Sequence, residues 1–346
     1  MKKLIIGLLI LPFLFISVHA AAIEIPQVPD DAQAYMPHED QTFAQGLLYV
    51  LTTAVGNLMP DLAEGMKTGL ILILTALILS LIGSFKGSGT QTAELIGIIF
   101  STTVMLNSSH SLIQLGIQTI TGMDAYGKML LPVMTTVLAS GGAITSSAAL
   151  YAGTSIFSAI LTTVLTKLFT PLLYTYIAVC VASRAIGENM LESIKKFLKW
   201  LMTWLLKIIL YVFTGYITIS GVVSGTTDAM SLKATKITLS GMIPVVGGII
   251  SDASEAILVS AGIMKSAAGI YGIYAFLSLC IGPVLKITVH CVILKITAAL
   301  CSVFSSKQQS GLVDDFSAAM SMILAATGSL CLLLLISTVA FMKGAV

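Results

Sequence analysis

The chain has 346 residues, 56% of them hydrophobic and only 10% charged, with a formal net charge of +2. Soluble globular domains carry about 25% charged residues, so this composition points to a membrane protein. All basic residues except Arg184 are lysines, and they are spread too thinly to track a phosphate backbone, which excludes nucleic acid as a partner.

In chain order, residues 1–22 read as a cleavable signal peptide. Lys2 and Lys3 precede an apolar core that contains Pro12, and small residues around Ala20 offer cleavage sites. Residues 23–66 contain no Lys or Arg until the membrane domain begins, which places them on the extracytoplasmic side. Within them, residues 43–58 read as a helix lying on the membrane or on a partner. Residues 67–85 are a spanning helix, followed by a short loop at Lys86 expected on the inside. Residues 93–108 are a weaker span, and the more polar residues 109–128 read as a surface helix and turn.

Residues 129–183 are apolar and rich in small residues, with Pro132, Gly141, Gly142 and Pro171 as breaks. Two or three spans fit there. Residues 184–207 differ in kind. Lys195, Lys196 and Lys199 alternate with apolar residues and with Trp200 and Trp204, a pattern that predicts a basic amphipathic helix at the cytoplasmic interface. A span at 208–223 and a polar outer loop at 224–239 follow. The stretch SGMIPVVGGIISDA (240–253) is then too short and too broken to span. Pro244 lacks an N–H, Gly247 and Gly248 favour helix poorly, and Asp252 and Glu255 follow one turn apart. It reads as a packing elbow or the lining of a pathway. Spans at 256–281 and 284–304, a polar loop at 305–316 and a last span at 317–342 complete seven to nine crossings. The expected fold class is therefore all-α: a polytopic membrane helical bundle with broken or re-entrant segments.

The sequence holds no P-loop, HExxH or GxSxG motif and no acid, base or metal set, so neither an enzyme nor a bound cofactor is expected. The five cysteines (Cys180, Cys280, Cys291, Cys301, Cys331) lie in apolar runs without CxxC spacing and read as buried small side chains rather than a disulfide framework or zinc site. Lys167, Lys286, His290 and Lys295 fall inside apolar runs; they read either as a polar pathway or, for Lys286, as a side chain that snorkels to the interface, with His290 satisfied by a neighbouring helix.

The runs LPVMTTVLASGGAITSSAAL (131–150) and GYITISGVVSGTTDAMSLKATKITLSGMIPVVGGIISDASEAIL (215–258) resemble the stage III sporulation protein AE family of endospore-forming Firmicutes, over a region from about Asp124 to the C-terminus. The resemblance implies a multi-pass protein of the mother-cell membrane around the forespore. It implies partners from one operon, including a cytoplasmic ATPase and intermembrane ring proteins, with a forespore membrane protein across the gap. The implied role is a sporulation channel complex that supports late forespore gene expression. The family offers no catalytic residues to carry over. A stand-alone secondary transporter using the Pro/Gly-broken helices is the rival reading.

Overall fold

A computed structural model describes residues 25–38, 41–84, 90–186, 191–242 and 247–343, with side chains described for all of these except 83–84, 90–91 and 220–265. The expected signal peptide, the loop at Lys86 and Pro244 lie outside the described residues. Among those described, all regular structure is helical. The elements are α1 (Asp30–Gln33), α2 (Phe43–Gly56), α3 (Met59–Ser84), α4 (Thr90–Ser140), α5 (Ile144–Val164), a π-helical turn (Leu165–Phe169), α6 (Thr170–Ile186), α7 (Glu192–Met242), α8 (Gly247–Phe304) and α9 (Lys307–Lys343).

Six of these stretches are long and apolar enough to cross a membrane: Met59–Ile82, Thr92–Ser140, Ile144–Ile186, Glu192–Ile219, Ser266–Phe304 and Lys307–Lys343. The seven to nine expected spans are thus six among the described residues. The reason is that prolines and polar patches expected to end helices are absorbed within them. Pro132 lies inside α4 and Pro283 inside α8. Near Pro132, Thr135 and Thr136 donate to the carbonyls of Leu131 and Pro132 at 2.7 and 2.9 Å. The carbonyl that Pro132 leaves without its helical donor is that of Lys128, so these two bonds brace the turn after the proline rather than replace the missing one. At Pro171 the missing N–H and the ring's clash with the preceding turn are met by the wider π-helical turn just before it, where Thr170 Oγ1 also donates to the Leu165 carbonyl at 2.8 Å. Residues 129–183 therefore hold the end of α4 and one continuous helical stretch, not three spans. The break between them is at Gly141-Gly142, where Gly142 takes a φ of 87° that suits glycine as a helix stop.

The other corrections follow from periodicity. Residues 109–128 are the interior of α4, not a surface turn: Leu112, Ile113, Ile120, Met123 and Tyr126 lie on its buried side with Ser109, Thr119 and Asp124, while His110, Ser111, Gln114, Gln118 and Thr121 take the outward one. Residues 305–316 are not a loop. Only Ser305 and Ser306 separate α8 from α9, and Gln309, Leu312, Val313 and Phe316 are buried. The backbone of 224–239 is helical within α7. The expected basic helix at 184–207 is divided: Arg184 ends α6, and α7 starts at Glu192 and runs on into the span.

The core is built around α9, which packs against α8, α4, α5, α6 and α7. Its buried residues run from Gln309 to Phe341 and include many small ones. Small side chains let helix backbones approach where lipid supplies no hydrophobic drive. Short polar bridges cross the same core: Thr154 with Ser337 at 2.7 Å, and Gln309 Nε2 donating to Ser101 Oγ at 3.3 Å. The Cys280 and Cys331 thiols also meet there, 2.7 Å apart and buried.

The N-terminal residues fold back on the bundle. The Pro26 carbonyl accepts from Tyr126 at 2.9 Å and Tyr271 at 3.3 Å, tying the strap to α4 and α8. The N-terminus of α2 is closed by a capping box, in which Gln45 Oε1 accepts from the Thr42 N–H at 3.0 Å. Tyr274 of α8 stacks on Phe43, with ring centroids 5.7 Å apart, and donates to its carbonyl at 3.0 Å. The helix expected on the membrane or on a partner thus has α8 of its own chain as its support.

Candidate functional site

Of the helix-break candidates, Pro132 sits mid-helix, Gly141 and Gly142 form the α4–α5 turn, and Gly247 and Gly248 begin α8. Asp252 and Glu255 lie in the first turns of α8, where side chains are not described. The interfacial basic helix is resolved more sharply. Trp200 and Trp204 are exposed and stacked, 5.9 Å between centroids, and Phe197 stacks on Trp200 at 6.0 Å. Lys196 and Lys199 are exposed beside them.

Lys195 departs from that pattern. It is buried, and its ammonium lies 2.8 Å from Glu192 and 3.2 Å from Asp315. Arg184 Nε donates to the same Asp315 Oδ2 at 2.9 Å. One carboxylate on α9 therefore gathers cations from the end of α6 and the start of α7. Gly311, one turn earlier on α9, makes room: a Cβ there would lie 2.5 Å from the Arg184 guanidinium carbon. A lone aspartate at this depth would be costly, and two positive partners offset that cost.

A second cluster sits between α3 and α8. Lys286 reaches Asp61 at 2.9 Å and Glu64 at 3.2 Å. His290, one turn on, is buried, and its Nδ1 lies 3.0 Å from the Lys286 carbonyl, which makes it the donor. Lys295 pairs with Asp314 at 2.5 Å. On α4, Asp124 is buried, receiving Ser158 Oγ at 2.9 Å and Lys128 at 2.6 Å. Lys286 is thus held by carboxylates of α3, His290 by a carbonyl of its own helix rather than by a neighbouring one, and Lys295 by Asp314. Lys167 stands exposed on the π-helical turn.

Sequence reasoning missed Asp315 and Asp61 as partners. The available signals were the chain's single arginine at the end of an apolar run and an Asp-Asp pair inside a segment with helical periodicity. Chemically, the clusters hold helices together; in each, a carboxylate faces a cation. Among the described residues no group of three or more His, Cys, Asp or Glu side chains could hold a metal ion.

The family model described as stage III sporulation protein AE matches residues 39–345, a wider stretch than the motifs that carried the resemblance. A stage III sporulation protein AE of Bacillus subtilis (strain 168) is 22% identical over 243 residues, which is 69% of this chain. The match spans 61% of that relative's length. No solved structure matches. With nearly its whole length on the family model and the multi-pass helical bundle that its composition demands, this chain belongs to the stage III sporulation protein AE family.

Proposed function

We propose that this protein is a non-enzymatic, multi-pass subunit of a stage III sporulation channel complex that links mother cell and forespore and supports late forespore gene expression. In this reading it sits in the mother-cell membrane. Its partners are the products of its operon, including a cytoplasmic ATPase and intermembrane ring proteins, and a forespore membrane protein across the gap.

The observation that carries the reading is a filled core beside a polar outward face. Buried side chains occupy α9 along its length, where a pathway through a single chain would need space. The outward face of α4, by contrast, changes character along the helix. Leu95, Ile96, Ile99, Phe100 and Leu106 are exposed and suit lipid. Asn107, His110, Ser111, Gln114, Gln118 and Thr121 are exposed and suit water or a polar neighbour. Thr92–Ser140 has 49 residues, roughly 74 Å of helix at 1.5 Å per residue, more than twice the ~30 Å hydrocarbon core. A polar face turned away from its own core belongs to a subunit that shares it with other chains.

The experiment is deletion of the gene in its host, counting heat-resistant spores alongside a late forespore reporter. The expected result is normal growth with loss of both after engulfment. Restoring the gene with Ser111→Leu and Gln114→Leu should yield inserted protein and few spores. Unaffected sporulation in the deletion strain sinks the proposal. Ion-driven solute uptake by the purified chain alone in liposomes would favour a secondary transporter instead.

A further inference from the structure

A groove of about 560 Å³ runs along the outside of α9 between α7 and α8. That is within the roughly 300–1,000 Å³ range of small-molecule sites. Its wall is apolar, with Met202, Leu206 and Leu210 from α7 facing Met322, Ala325 and Leu332 from α9. Three lysines stand along it: Lys199 and Lys207 from α7, and Lys295 from α8. Lys295 is engaged with Asp314. Lys199 and Lys207 make no ion pair among the described residues. They lie on the same side of α7, about 12 Å apart along its axis.

Depth is set by the neighbouring aromatics. Trp200 and Trp204, 56% and 46% exposed, stack on the outward side of α7 next to Lys199. Tryptophans of this kind mark the headgroup level of a bilayer. The groove therefore begins at headgroup depth and continues along apolar wall toward the membrane interior. Its floor is open at Gly328, where an added Cβ would meet no atom within 4 Å.

An apolar slot with Lys199 at its headgroup end, and with Lys207 further along α7 on a flexible stem that can reach back toward that level, neither ion-paired among the described residues, fits one ligand chemistry, an acyl chain bearing an anionic headgroup. We propose that this groove binds an anionic phospholipid, with a chain laid along α9 and the phosphodiester held by Lys199, Lys207 and Lys295. Basic pockets between membrane helices take such headgroups. A second protein's helix is a poorer occupant, because an apolar one would bury two cations without partners. The inference requires only that the bundle be embedded in a bilayer, so it stands apart from the sporulation role.

The chain has two tryptophans, Trp200 and Trp204, both on the helix that carries Lys199 and Lys207, so their fluorescence reports on lipid held beside α7. The purified full chain would be placed in vesicles of phosphatidylcholine and phosphatidylglycerol, with bromine on the chains of one lipid or the other. Brominated phosphatidylglycerol should quench more strongly at equal mole fraction. Each lysine should contribute a preference of about fivefold. Lys199→Gln with Lys207→Gln should abolish the preference. Gly328→Leu should abolish it as well, since it fills the floor with every charge retained and replaces glycine by a better helix former. Lys196→Gln, exposed but outside the groove, should leave it intact. Equal quenching by the two lipids, the result a partner helix in the groove would give, overturns the proposal. So does a preference that survives both groove variants, or one that Lys196→Gln lowers equally, which would mean diffuse attraction to the basic face.

Discussion

Two ion clusters in this bundle use the same chemistry in different surroundings. In the first, the side chains of Asp315, Lys195 and Arg184 are 12%, 5% and 26% exposed. In the second, those of Asp61, Lys286 and Glu64 are 21%, 31% and 58% exposed. The first joins three helices through the Asp315 carboxylate, which has little access to water, with the more exposed Glu192 as a second partner of Lys195. The second joins two helices and has a spare carboxylate already in solvent. Burial, rather than the number of short N–O distances, determines which cluster the fold depends on. A buried pair that loses one member leaves an uncompensated charge, whereas a solvated pair that loses one is rehydrated.

The largest expected effect is therefore at Asp315. Asp315→Asn should destabilise the bundle by about 3–5 kcal/mol, read as a fall in the thermal unfolding midpoint of the purified protein in detergent. The comparison is sharpened by removing Asp315 together with both of its cations, which leaves Glu192, already 39% exposed, to solvent. The triple variant Arg184→Met, Lys195→Met, Asp315→Leu should recover most of that loss, since apolar replacement of a buried ion cluster is often neutral or better. A triple variant as unstable as the single one would show that the cluster does more than balance charge.

At the exposed end, packing should matter more than charge. A Cβ at Gly46 would overlap the Tyr274 hydroxyl, and that ring is fixed by its stack on Phe43 and its bond to the Phe43 carbonyl. Gly46→Val should thus cost about 1–3 kcal/mol and open α2 to protease. Asp61→Asn leaves Lys286 with Glu64 and should cost no more than about 1 kcal/mol in the same assay. If Asp61→Asn proved the costlier of the two, burial would not be what separates the clusters.

The sequence announced the class of this fold and disguised its divisions. Composition alone gave a multi-pass helical protein, and the apolar runs gave spans at 67–85 and 317–342 that overlap the helices at Met59–Ile82 and Lys307–Lys343 but start eight to ten residues late. What misled was treating each Pro, Gly or polar patch as a boundary. Pro132 and Pro283 are carried inside helices, so a proline here did not mark a helix end. Most polar residues of α4 between 107 and 121 lie on one outward face of a continuous helix, with Ser109 and Thr119 buried, rather than gathered in a turn. Linear hydropathy averages over the two sides of a helix and cannot separate these cases. The same averaging made Lys195 look like Lys196 and Lys199. Only the fold shows that its partner is a carboxylate on α9, 120 positions along the chain.

The smallest effect, and the one that links the clusters to the groove, is at Asp314. Its pair with Lys295 is 53% and 55% exposed, so breaking it should change stability by no more than about 1 kcal/mol. Asp314→Asn should still have a measurable consequence, because the carboxylate competes for the same ammonium that the groove presents to a phosphodiester. Freeing Lys295 and removing a nearby negative charge should raise the preference for brominated phosphatidylglycerol over phosphatidylcholine in the tryptophan quenching assay. An unmoved thermal midpoint with raised preference would identify the pair as a tuning element of the groove rather than a support of the fold. An unmoved preference would remove Lys295 from the headgroup site and leave Lys199 and Lys207 to hold it.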